Sequence, residues 1–197
     1  VYKYMFKRPN GRYYRIGDVM RLAKTDQNNG TNIKNFVLIG DPAMQLAFPD
    51  NTIKTTQING GDVYIHPDTL AAMSEVNVQG VISDQYGNPI TDFNGILIPS
   101  LFDKDILLTT LGNDAGSNPT NFHAQGQCLF KGKVSVIDGA FSFNFFMPKN
   151  TTSYIGFGKL SYYAYDTINH RDAQGYWNVR TGGVNPNVIP DLQGPDM

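Results

Sequence analysis

A single cysteine among 197 residues excludes an internal disulfide and any zinc site built from several thiolates. Charge is scarce too. Charged residues make up 17%, and 16 Lys+Arg against 17 Asp+Glu leave a net charge of −1. No basic run is interleaved with aromatics, so nucleic acid is not an expected partner. No apolar run approaches the roughly 20 residues of a membrane-spanning helix, and no repeat or low-complexity segment stands out. The opening residues Val1 to Phe6 lack the architecture of a signal peptide, and Leu192 to Met197 stop without a closing element. Both ends therefore read as cuts from something larger. What the chain does have is 20 Gly, 11 Tyr and 12 Phe, an aromatic, turn-rich composition that fits a β-sandwich working outside the cytoplasm.

Along the chain, the pattern changes once. From Arg12 to about Lys24, Ile16, Val19, Met20 and Ala23 fall at i, i+3, i+4 and i+7, which predicts an amphipathic helix. Phe36 to Ile39 then forms a continuous apolar run, the mark of a strand buried on both faces in a parallel sheet. Gly40-Asp41-Pro42 breaks that run, with Asp41 read as a turn former, and Met44, Leu46 and Phe48 resume with period two up to Pro49. Residues 1–49 thus predict a helix–strand remnant of an α/β domain, with too few elements to cover both faces of its own strand.

Beyond Thr52 the signals are short strands between turns. Strands are predicted over 52–58, 74–83, 92–104, 105–111, 128–137, 140–147, 156–165 and 175–181, with a helical turn at His66 to Leu70 capped by Asp68. Asp138-Gly139 gives the strongest hairpin signal, and Phe141, Phe143, Phe145 and Met147 alternate as core residues. About eight strands suit one sandwich domain over residues 50–190, with 191–197 beginning a following segment. The fold class is therefore mainly β, an immunoglobulin-like β-sandwich behind a small α/β remnant.

The segments "NFVLIGDPAMQLAFP" (35–49), "DTLAAMSEVNVQGVISDQYGNPITDFNG" (68–95), "TLGND" (110–114), "LFKGKVSVIDGAFSFNFFMPK" (129–149) and "GFGKLSYYAYD" (156–166) occur in an order that resembles gingipain-type, caspase-like cysteine peptidases. The resemblance is closest to the C-terminal signal peptidases (sortases) of type IX secretion. It implies that a strand and a Gly-Asp-Pro turn close the peptidase domain and that an immunoglobulin-like domain follows. It also implies a Cys nucleophile and a His base lying upstream of that turn, so no position here takes either role.

The residues themselves agree with that reading. Strand parity places Cys128 with Phe130, Val134 and Val136 on an apolar face, as a buried small hydrophobe and not an activated thiolate. His66, His123 and His170 stand singly, without metal-ligand spacing. Asp103 and Asp105 flank Lys104, and Asp114 sits in a polar loop; such oxygens can hold calcium, but loop Asx residues more often make turns. Tyr162, Tyr163, Tyr165, Tyr176 and Trp177 divide by alternation between core and outer face, where they would pack or form a binding platform.

No catalytic residue, cofactor or metal ligand is assigned. The expectation is an inactive C-terminal portion of a bacterial cysteine endopeptidase, at the cell surface or outer membrane. Its partners would be the upstream peptidase domain of the same chain and other secretion-system or surface proteins. The alternative is an adhesive, glycan- or peptide-binding surface module.

Overall fold

The computed structural model describes residues 2–26, 35–65 and 68–187. It divides into two compact units, Val1–Phe48 and Pro49–Met197.

The first unit is helical where the apolar stripe predicts it. Helix α1 spans Tyr2–Met5 and α2 spans Ile16–Asp26, with Val19 the buried residue of α2. The exposed N–H groups that open any helix need acceptors. Here the chain itself supplies them, since Ile16 N–H donates to the Met44 carbonyl at 2.8 Å and Gly17 N–H to that of Pro42 at 2.9 Å. Phe48 packs its ring on Phe6 and Tyr13, at 5.2 and 4.8 Å between centroids, and an Arg15–Gln45 bridge ties the same segment down. Residues 44–48 therefore close the first unit and do not begin the second.

The second unit is all β: β1 (Asn51–Ile58), β2 (Gly61–Asp62), β3 (Thr69–Ala72), β4 (Glu75–Ser83), β5 (Gly95–Phe102), β6 (Ile106–Thr109), β7 (Asn121–Ala124), β8 (Cys128–Lys131), β9 (Val134–Val136), β10 (Ala140–Phe146), β11 (Gly156–Asp166) and β12 (Asp172–Val184). Ten of these strands form one hydrogen-bonded sheet, seven along the path β10-β4-β1-β12-β11-β5-β8 with β2 added at β1, β3 at β12 and β9 at β5, while β6 and β7 form a separate ribbon. The sheet folds over so that its two ends meet face to face. Phe130 of β8 stacks on Phe145 of β10 at 4.4 Å, and the Tyr162 hydroxyl of β11 meets Thr55 Oγ1 of β1 at 2.7 Å. Val76, Val78, Leu97, Leu101, Phe141, Phe143, Phe145 and Leu160 fill the space between the layers. A mainly β sandwich behind a small helical element is what the sequence predicts.

Four local expectations need correction. Phe36 to Ile39 is extended but enters no ladder, and Phe36, Val37 and Ile39 are 64%, 74% and 95% exposed. Two-sided burial needs a neighbour on each face and each edge, and the first unit has no other strand to offer among its described residues. The turn predicted at His66 to Leu70 is strand from Thr69 onward; Asp68 instead accepts from the Thr69 N–H and the Asn59 amide, and His66 lies outside the described residues. The predicted strand over 128–137 is two strands, broken at Gly132. The hairpin at Asp138-Gly139 turns as predicted, with φ of 50° and 73° and an Ile137–Ala140 bridge. Its arms then part: β9 pairs with β5 and β10 with β4. The turn crosses between layers, and a side chain at Gly139 would strike the Ile90 carbonyl.

Candidate functional site

Alternation along the two longest strands sets what the sandwich shows to solvent. On β11, Leu160, Tyr162 and Ala164 point inward, so Phe157, Lys159, Ser161, Tyr163 and Tyr165 point out. On β12, Val179 and Thr181 point inward and Gln174, Tyr176, Asn178 and Arg180 point out. Register then pairs Phe157 with Arg180, Lys159 with Asn178 and Ser161 with Tyr176. Phe157 and Tyr176 remain 69% and 64% exposed, and the Lys159 ammonium lies 5.1 Å over the Tyr176 ring. Of the aromatic group predicted from sequence, Tyr162 is buried and Trp177 packs against the core, while Tyr163 and Tyr176 face out.

Beside this face stands the β6–β7 ribbon. Ile106, Leu107, Leu108 and Phe122 on it are all exposed, and a ribbon of two short strands has little stability of its own. Its base is held by a buried ionic knot. Asp103 and Lys104, 8% and 5% exposed, form an ion pair of 2.8 Å. Lys104 Nζ also donates to Thr181 Oγ1 at 3.1 Å and to the Thr181 carbonyl at 3.2 Å, on β12. Asp103 accepts from the Thr181 hydroxyl at 2.9 Å and the Thr152 hydroxyl at 2.7 Å. Burial by itself would raise the Asp103 pKa, yet the Lys104 ammonium and these hydroxyls outweigh it and hold the carboxyl well below the usual carboxylate range. The chain returning from β7 passes so close that a side chain at Gly126 would collide with the Lys104 carbonyl.

Ribbon and sheet face enclose an open groove of about 640 Å³, within the range of small-ligand sites. Asp105, His123 and Gln125 come from the ribbon side, Phe157 and Lys159 from β11, and Tyr176 and Asn178 from β12. Sequence spacing could bring His123 and Asp105 to notice but not Lys159 or Asn178. Their signal was the outward phase of β11 and β12, which becomes visible once the inward phase is fixed.

The remaining candidates stay apart. Cys128 is exposed, not buried as parity predicts, and its thiol reaches the Phe130 carbonyl at 3.4 Å. The reason is a bulge: Leu101 pairs with Phe130 but Phe102 with Cys128, so Leu129 takes the buried position. His170 sits at φ 51° in the turn between β11 and β12. Asp114 accepts through its carbonyl from Ser117, and Asp41 through its carboxylate from the Ala43 N–H at 2.8 Å; both are turn residues. Among the described residues no three His, Cys, Asp or Glu gather as metal ligands. No described helix is long and apolar enough to cross a membrane.

The profile of Peptidase family C25 matches residues 1–47. No curated protein matches. Among solved structures, that of dimeric latent PorU from Porphyromonas gingivalis matches with a TM-score of 0.64 and 23% identity, over 97% of this chain and 18% of that one. This chain thus spans less than a fifth of that protein. Spo0M, a sporulation control protein of Bacillus subtilis, gives a TM-score of 0.38 at 13% identity over 69% and 51% of the two chains. The bacterial hydrophobin BslA gives 0.28 at 11% over 70% and 99%, and neither of these two bears on the argument. The resemblance to gingipain-type peptidases therefore holds, through the family profile over the first unit and the PorU-like fold.

Proposed function

We propose that this chain is the closing segment of a C25-type cysteine-peptidase domain, residues 1–49, followed by an immunoglobulin-like sandwich, residues 50–190, that supports it. The observation carrying this reading is the exposed run Phe36 to Ile39, inside the stretch that matches Peptidase family C25. Three large apolar side chains left in water on a segment of extended backbone fit a strand whose sheet partners belong to the rest of a peptidase domain. The chain holds no reacting residue of its own in this reading. Cys128 is exposed, but its thiol is engaged only with a backbone carbonyl two residues on. The parent acts outside the cytoplasm, at the cell surface or outer membrane, where the peptidase domain is the sandwich's partner and other secretion-system or surface proteins meet the assembly.

Amide hydrogen exchange tests this directly. In the 197-residue chain, Val37 to Ile39 should exchange freely, and in the longer protein that carries an upstream peptidase segment the same amides should be protected. Equal, rapid exchange in both would overturn the proposal. The chain alone should not hydrolyse casein; hydrolysis that vanishes in Cys128→Ala would contradict the supporting role.

A further inference from the structure

We infer that the groove between the β6–β7 ribbon and the outer face of β11 and β12 binds a neutral oligosaccharide. Two aromatic rings, Phe157 and Tyr176, are offered to solvent from adjacent strands at the centre of a sheet. The exposed Phe157 ring suits the C–H face of a pyranose, which is apolar on one side and polar at the rim, and Tyr176, whose ring lies 5.1 Å under the Lys159 ammonium, adds a phenol hydroxyl. Around them stand Asp105, His123, Gln125 and Asn178, side chains able to donate to or accept from hydroxyl groups. Lys159 and Asp105 offset one another in charge, and Asp103, also in the lining, is neutralised by Lys104, which favours an uncharged ligand. The volume of about 640 Å³ accommodates several sugar units.

A polypeptide is the weaker fit. Peptides captured by sheets usually add a strand to an open edge. On the floor, β11 is laddered on both sides, to β12 and β5, and β12 is flanked on its other side by β1 at Ala173 and Gln174 and by β3 from Arg180, which leaves only a short stretch between them for an added strand. The ionic knot gives the groove its second requirement, a fixed shape. Lys104 and Asp103 anchor the foot of the ribbon to Thr181 of β12, so the wall carrying Asp105 is tied to the floor carrying Asn178.

The test uses the 197-residue chain on a printed array of bacterial and mammalian oligosaccharides, then titration calorimetry with soluble tetrasaccharides of glucose, mannose and N-acetylglucosamine. Saturable binding to at least one sugar is expected. Tyr176→Ala, Phe157→Ala and Asn178→Ala should each weaken it by about tenfold, while Tyr86→Ala, at an exposed ring outside the groove, leaves it unchanged. Far-UV circular dichroism keeps the comparison to folded variants, and the two aromatic substitutions are at exposed positions that the core does not use. Absence of sugar binding throughout overturns the inference. So does sugar binding that all three groove variants retain, or a peptide library that binds in the groove where the sugars do not.

Discussion

Two apolar stretches of this chain meet opposite fates. Phe141, Phe143 and Phe145 are buried in β10, between a hydrogen-bonded neighbour and a facing layer. Phe36, Val37 and Ile39, no less apolar, lie in water on extended backbone with no ladder. Residue type alone does not separate them. β10 has β4 beside it, and Phe130 packs on it from the opposite layer, all from the same unit. The earlier run has neither a strand beside it nor a layer above it among the described residues of its unit. Hydrophobicity supplies the drive for burial, and only neighbouring elements supply the place.

The sharpest way to break this contrast is to truncate each stretch by one side chain. Phe143→Ala should cost about 3–5 kcal/mol in urea unfolding, because it empties a filled core. Acid comes next. Asp103 and Asp166 both have folded pKa values held below the unfolded carboxylate value, for Asp166 because Arg171 and Asn169 outweigh the cost of burial. Their stabilisation is therefore complete above about pH 4 and lost as pH falls further toward their folded values, so the urea midpoint of the sandwich should drop over that acid window and not above it. An unchanged midpoint there would show that the two carboxylates contribute nothing. Tyr162→Phe should cost about 1–2 kcal/mol by leaving the buried Thr55 hydroxyl without its interlayer partner. Ile39→Ala should stay within about 0.5 kcal/mol by the same assay. A cost near that of Phe143→Ala would mean that the exposed run is buried in this chain after all.

The same contrast explains what could be read in advance. β10 was legible because its alternation and its turn are both local, and α2 because its stripe lies within eleven residues. The turn at Asp138-Gly139 was legible in conformation but not in destination, since which strands β9 and β10 join is decided some 40 to 65 residues away, at β5 and β4. Cys128 was misplaced because one bulge reverses parity, and no residue type announces a bulge of this kind. β7, "NFHA", went unseen because a four-residue strand with three exposed residues and none buried carries no inward phase. The groove was half legible. Tyr176 stood out as an aromatic, but Lys159 and Asn178 acquire meaning only through their register across two strands.

The strand order has a consequence in time. Among the described strands β12 is made last and sits in the middle, with β1, β4 and β10 on one side of it and β11, β5 and β8 on the other. At about 5–20 residues per second, a ribosome would release β1 several seconds before its parallel partner exists. Until then the sheet is in two halves with no ladder between them, held to one another only by interlayer contacts such as Phe130 on Phe145 and Tyr162 with Thr55. A chain stalled just before Asp172 is therefore expected to be protease-sensitive throughout the sandwich, whereas one stalled well beyond Val184 resists. The keystone strand makes this unit a structure that is finished all at once, and late.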